Sequence, residues 1–145
     1  MQRVNDRLHV KRHYERYDGA TVMGCNGITV LVVEDEVLIR IDIAQTLEDE
    51  GFTVFEASDA EEAIDILSKH SEINLMFTDI DMPGSIDGLK LATAVRDRWP
   101  PISIIVTSGH RQMSDDTLPI TGRFFAKPYD AARVIRTMRD MVASA

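Results

Sequence analysis

The sequence predicts an α/β domain: a doubly wound, five-stranded parallel sheet with helices on both faces and a fourth helix that is short or irregular. From Ile28 onward, five short apolar runs alternate with amphipathic segments of helical period. That is the pattern of parallel strands joined by right-handed crossovers. The 145 residues, 44% of them hydrophobic, suit one domain with an ample core. Four of the runs also end in residues that carry chemistry: Ile28 to Val33 in Glu34-Asp35-Glu36, Leu75 to Thr78 in Asp79, Ile102 to Val106 in Thr107-Ser108, and Phe124 to Ala126 in Lys127. In an open parallel sheet, ligands collect at the carboxyl ends of the strands.

Taken in order, residues 1–26 read as a flexible arm and residues 27–145 as the domain. The arm mixes Arg3, Arg7, Lys11, Arg12 and Arg16 with Asp6, Glu15 and Asp18, and its helical stripe is weak. Its functional reading is contact with a partner or a second copy. After the first strand, Val37, Leu38, Ile39, Ile41, Ile43, Ala44 and Leu47 are expected to form the apolar face of a first helix, which Gly51 ends in a left-handed cap. Phe52 to Phe55 is the second strand. Ser58 or Asp59 caps a second helix bearing Ala60, Ala63, Ile64, Ile66 and Leu67. The third strand leads into Asp79, and Pro83 and Gly84 then break regular structure. Leu89, Leu91, Ala92 and Val95 mark a third helix that stops before Trp99-Pro100-Pro101. Between Arg111 and Ile120 there is room for a turn or two of helix before Pro119 and Gly122 interrupt it. A fifth strand reaches Lys127, and Asp130 caps a final helix carrying Ala131, Val134, Ile135, Met138 and Met141.

Composition narrows the function. A net charge of -8 argues against direct binding to nucleic acid or an anionic membrane surface. It favours a basic partner or a bound cation. The single cysteine, Cys25, excludes an internal disulfide and fits a reducing cytoplasm. The apolar run from Ile28 to Val33 is far below the roughly 20 residues of a spanning helix.

For strand order 2-1-3-4-5, the order reverses between strands one and three, so Asp35 and Asp79 flank the expected ligand crevice. Glu34, Asp35 and Asp79 at one mouth repel one another unless a cation lies among them. A hard divalent ion, Mg2+, suits carboxylates, a backbone carbonyl and waters. An aspartate is a competent nucleophile towards phosphorus. Ser108 and Lys127 at neighbouring strand ends supply a hydroxyl and an ammonium for phosphoryl oxygens. Singly, each residue has a plainer role: Glu34 and Asp35 as helix caps, Lys127 as a solvated cation, Ser108 as a turn residue, Asp79 as an Asx-turn acceptor. Their recurrence at four successive strand ends favours the joint role.

The runs Val32-Val33-Glu34-Asp35-Glu36, Asp79-Ile80-Asp81-Met82-Pro83 with Asp87-Gly88, Ser108-Gly109 and Lys127-Pro128-Tyr129, supported by Gly51-Phe52 to Ala57, Ala60, Glu62, Ala63 and Leu67, resemble the receiver domain of two-component response regulators over Ile28 to Val142. The resemblance implies that Asp79 is the phosphoacceptor. It implies Mg2+ held directly by Asp35 and Asp79, by Glu34 through water, and by the backbone carbonyl of Asp81. It makes Ser108 the switch hydroxyl, Lys127 the partner of the phosphoryl group, and Phe124 the aromatic that changes rotamer. Asp81 and His110 fall where the family tunes hydrolysis of the acyl phosphate. The loop after Asp79 is one residue longer than usual, and the stretch from Ser108 to Lys127 a few residues shorter. The second departure puts the family's usual dimerisation mode in question and leaves a monomer or weak homodimer.

The implied protein is a cytoplasmic phosphoprotein, a self-phosphorylating and autodephosphorylating acceptor rather than a turnover enzyme. Its donor is a sensor histidine kinase or a histidine phosphotransfer protein, and its output is contact with a downstream protein target. With only Ala143-Ser144-Ala145 after the last helix, a stand-alone regulator is expected. Two other readings share parts of the pattern. Phe77-Thr78-Asp79-Ile80-Asp81 resembles the Asp-x-Asp motif of haloacid dehalogenase phosphohydrolases, with Asp81 as general acid. A receiver fold used as a non-phosphorylated interaction module has the same core with an idle site.

Overall fold

The computed structural model describes residues 27–82, 87–110, 113–115, 118 and 120–144. The expected arm and the lengthened loop at 83–86 lie outside the described residues. Five parallel strands, β1 (Thr29–Val33), β2 (Thr53–Ala57), β3 (Leu75–Asp79), β4 (Ser103–Ser108) and β5 (Arg123–Ala126), form one sheet in the order β2-β1-β3-β4-β5. Among the described residues, four helices connect or follow them: α1 (Val37–Asp49), α2 (Ala60–Lys69), α3 (Gly88–Arg98) and α4 (Ala131–Ser144).

The strands alternate with period two between the faces of the sheet. Leu31, Val33, Met76, Ile104 and Val106 pack with Ala63, Leu67, Leu91 and Val95 of α2 and α3. Val30, Val32, Leu75, Phe77 and Ile105 pack with Ile43, Leu47, Val134 and Met138 of α1 and α4. Covered on both faces, β3 is buried along its whole length and carries Asp79 at its end.

Local chemistry ends the elements where the sequence indicates. Gly51 has φ 98°. The Phe52 N–H reaches the Leu47 carbonyl at 3.1 Å and the Gly51 N–H the Glu48 carbonyl at 3.0 Å, a Schellman closure of α1. Asp59 accepts the Glu62 N–H at 2.8 Å, and Glu62 in return accepts from the Ser58 N–H at 2.8 Å, fixing the start of α2. Asp87 accepts the Lys90 N–H at 3.0 Å and starts α3. Gly88, the first residue of α3, lies so close to β3 that a Cβ there would collide with the Asp79 backbone carbonyl. Among the described residues, no helix is long and apolar enough to cross a membrane.

Two expectations meet a different or sharper outcome. The face expected for α1 is misphased, because Val37 and Ile41 are exposed and Leu38 is 83% exposed. The buried stripe is Arg40, Ile43, Ala44, Leu47 and Glu48. Five consecutive residues circle more than a full helical turn, so the run from Val37 to Ile41 cannot all face the sheet, and the inward slot goes to Arg40. Between β4 and β5, no α-helix is present among the described residues. In this stretch the Leu118 N–H lies 3.4 Å from the Asp115 carbonyl.

Candidate functional site

Strand pairing carries the acidic residues to one point. The Glu34 N–H extends the β1–β2 ladder by bonding the Ala57 carbonyl at 3.0 Å, and the Ile80 N–H extends β3–β4 onto the Thr107 carbonyl at 2.9 Å. Both acidic strand ends are therefore held in register with their neighbours. Carboxylate oxygens of Glu34, Asp35 and Asp79 lie within 4.8 Å of one another. Glu34 and Asp79 are buried, and Asp35 is partly exposed. Neither Glu34 nor Asp35 caps α1: its N-cap is Glu36, which has no side-chain cap bond.

Lys127 enters this cluster from the end of β5. Its Nζ donates to Glu34 Oε1 at 3.0 Å and pairs with Asp79 Oδ2 at 3.2 Å, with its side chain only 19% exposed. The Lys127 N–H is anchored on the Ser108 carbonyl at 2.9 Å. The other oxygens are also engaged, Glu34 Oε2 by the Glu36 N–H at 3.1 Å and Asp79 Oδ1 by the Asp81 N–H at 3.0 Å.

The electrostatics follow from burial and crowding. Burial pushes the Glu34 carboxyl above its ordinary value and the charge of Asp79 adds to this, against the opposing pull of Lys127 and the Glu36 N–H. Burial disfavours the Lys127 ammonium, yet the Glu34 hydrogen bond and the negative charges of Asp79 and Glu34 outweigh it, so its pKa is raised. Tyr129 rests edge-on against Phe77, with ring centroids 5.5 Å apart. Its phenol is pushed up to about 12 by burial first and then by Glu34. Three carboxylates sharing one ammonium leave the mouth net negative. An oxygen-liganded divalent cation fits the donor set that Glu34, Asp35 and Asp79 offer.

Ser108 is buried, and its hydroxyl donates to Asp81 Oδ2 at 2.6 Å, with the Gly109 N–H on the same oxygen at 3.1 Å. The exposed His110 bonds Ser108 Oγ through its N–H at 3.1 Å. Phe124 pairs with Val106 across the sheet and packs partly buried against the core on the α2–α3 side. Its N–H donates to Asp115 Oδ1 at 2.8 Å, while Arg123 pairs with Asp115 Oδ2 at 2.8 Å. The sequence-predicted residues thus form two adjoining sets. Glu34, Asp35, Asp79 and Lys127 meet directly, whereas Ser108, Asp81 and His110 form a neighbouring group, with Phe124 one strand further out.

Sequence reasoning missed the Asp81 side chain as the partner of Ser108, Asp115 as the tether of Phe124, and the pair Arg40–Glu56 beneath the acidic loop. For the last, a signal was present. Arg40 interrupts an apolar helix stripe and Glu56 interrupts an apolar strand, and two opposite charges at inward positions imply that they meet.

Comparison with known families matches residues 30–139 to the response regulator receiver domain. Among curated proteins, the sensor kinase CckA of Brucella abortus is 31% identical over 118 residues, 79% of this chain and 12% of the kinase. The chain spans under half the length of the curated relatives it matches. A response regulator receiver protein from Sinorhizobium medicae superposes with TM-score 0.74 at 27% identity, covering 81% of this chain and 95% of that one. The response regulator protein TrrA from Thermotoga maritima, solved in complex with Mg2+ and BeF, superposes with TM-score 0.71 at 25% identity over 79% of this chain and 98% of that one.

Proposed function

The chain belongs to the response regulator receiver domain family, and from that premise we propose that Asp79 is its phosphoacceptor, fed by a histidine kinase or histidine phosphotransfer protein. The observation that carries this reading is Lys127 seated between Glu34 and Asp79, 3.0 and 3.2 Å away, where the strand order reverses. An Asp79 carboxylate oxygen attacks phosphorus, the donor's P–N bond breaks, and the imidazole leaves as its nitrogen takes up a proton. Glu34, Asp35 and Asp79, with the Asp81 backbone carbonyl, would hold Mg2+, which when bound offsets the charge of the incoming phosphoryl group.

Lys127 is placed to exchange its contact with Asp79 for one with a phosphoryl oxygen. Ser108 would leave Asp81 for the same group, and Phe124 on the adjacent strand would respond by repacking. Val37, Leu38 and Ile41 present exposed apolar surface just beyond the 34–36 loop and suit docking of the donor protein. The Asp81 carboxylate is engaged by Ser108 and Gly109, which favours signalling over a phosphohydrolase that would use Asp81 as general acid.

The test is an amide NMR titration with MgCl2, then beryllofluoride, run in parallel on Asp79→Asn. Shifts at Asp35 and Asp79 with Mg2+, spreading to Ser108, Phe124 and Lys127 with beryllofluoride and absent in the variant, are expected. A beryllofluoride response that persists in Asp79→Asn would remove Asp79 as the acceptor.

A further inference from the structure

Beneath the acidic mouth lies a buried ion pair that the phosphoacceptor reading does not use. Arg40 is 5% exposed and Glu56 8%. Arg40 Nε donates to Glu56 Oε1 at 3.1 Å, and its Nη1 donates to the Glu34 backbone carbonyl at 2.9 Å. The Arg40 N–H also bonds the Glu36 carbonyl at 2.9 Å, so the residue closes the first turn of α1 as its side chain reaches back under the loop.

Only residues 34–36 separate β1 from α1, and this loop must hold Glu34 and Asp35 against the repulsion of Asp79. Lys127 restrains the side chains of Glu34 and Asp79, which leaves Asp35 to be oriented through the backbone of the loop. The peptide joining Glu34 to Asp35 is planar, so fixing its carbonyl fixes the plane from which the Asp35 side chain departs. A guanidinium can do this while bonding Glu56, because its donors lie in one rigid fork. An ammonium presents its donors from a single point. Glu56 matches the charge of Arg40, so the pair acts on the loop through geometry rather than as a rival cation.

We propose that Arg40, held by Glu56, is a positioning residue that sets the Glu34–Asp35 peptide for divalent-cation binding. The proposal rests on the metal site described above and names what orients its least restrained ligand.

The competing account is a pair that serves stability alone. Replacing both members by apolar residues separates the two, because a buried pair exchanged for well-packed hydrophobes need not lose stability whereas a lone buried charge does. Mg2+ dissociation constants from amide shifts, with MgCl2 as the only ligand, and melting temperatures are measured for wild type, Arg40→Lys and Arg40→Met/Glu56→Met. The double variant is expected to melt within a few degrees of wild type, to bind Mg2+ at least tenfold more weakly, and to show displaced Asp35 and Glu36 amides before any metal is added. Arg40→Lys keeps the charge without the fork and is expected to lose affinity as well. It decides the matter if the double variant does not fold. Wild-type affinity, within twofold, in the folded double variant or in Arg40→Lys overturns the proposal while leaving the metal site standing. Absence of Mg2+ shifts at Asp35 and Asp79 in the wild type overturns the site reading and this proposal together.

Discussion

At the amino end of the sheet one neutral side chain does the joining, whereas at the carboxyl end three carboxylates crowd around one ammonium. Asn74 accepts the Thr29 N–H at 2.9 Å, donates to the Gly27 carbonyl at 2.6 Å, and through its backbone bonds Thr29 and Ser103 at 3.0 and 3.1 Å. Each of these bonds ties the start of β3 to β1, to the residues leading into β1, or to β4, and none involves net charge. At the other end, Glu34 and Asp79 are buried as neighbours with Asp35 beside them, and Lys127 answers two of the three charges. A neutral, hydrogen-bonded end stabilises the fold unconditionally. A charged, under-neutralised end has a stability that depends on what binds there, and that dependence is what makes it usable as a switch.

The contrast breaks first at Lys127. Lys127→Met leaves two buried carboxylates without their cation, and in metal-free buffer the domain should lose about 3 kcal/mol of stability. Saturating MgCl2 should restore most of that loss, because it stabilises the variant more than the wild type. Urea unfolding with and without Mg2+ measures both. An equal loss in the two buffers would mean that Lys127 contributes packing rather than charge. At the opposite end, Asn74→Ala removes the side-chain bonds to Thr29 and Gly27 at a partly exposed site, for a loss of about 1–2 kcal/mol. Here the loss should be the same with and without Mg2+. A Mg2+-dependent loss at Asn74 would show that the two ends are coupled through β3.

Much of this division was legible in the sequence because it follows from local patterns. Apolar runs of strand length ending in Glu34-Asp35, Asp79, Ser108 and Lys127 located the mouth, and parallel pairing brings Glu34, Asp35, Asp79 and Lys127 into one cluster with Ser108 in the adjoining group. Pro119 and Gly122 pointed, for an equally local reason, to a short or irregular helix between β4 and β5, where no α-helix is present among the described residues. What stayed hidden depends on contacts between distant segments. The phase of α1 turns Arg40 inward to meet Glu56, 16 residues away; the two interrupting charges hint at the pair, but no periodicity within Val37 to Ile41 reports the phase. Ser108 was identified by its position, but its bond to the Asp81 carboxylate, 27 residues back, depends on how two loop ends approach each other. Asp87-Gly88 was visible as a motif, while the reason for its glycine, the closeness of α3 to the Asp79 backbone, belongs to packing.

The smallest effect sharpens the contrast by asking how far the mouth's negative field extends. Tyr129 follows Lys127 by two residues, and its phenol is pushed up to about 12, by burial first and by Glu34 second. A folded value above the unfolded one of about 10 means that the native state holds the proton more tightly. Its contribution is therefore complete below pH 10 and lost as pH rises through about 12, roughly 1 kcal/mol by pH 11 once partial exposure is allowed for. Absorbance at ~295 nm, in a Tyr14→Phe/Tyr17→Phe background that leaves Tyr129 as the only tyrosine, follows the titration directly. Glu34→Gln should lower the midpoint by only part of its elevation, since burial is the leading cause and remains. Asn74→Ala should leave it unchanged. If Glu34→Gln also leaves it unchanged, burial alone sets the phenol and the field of the carboxylates stops short of the ring. A partial fall would instead place Tyr129 inside the charged end, as a built-in reporter of the charge that phosphorylation alters.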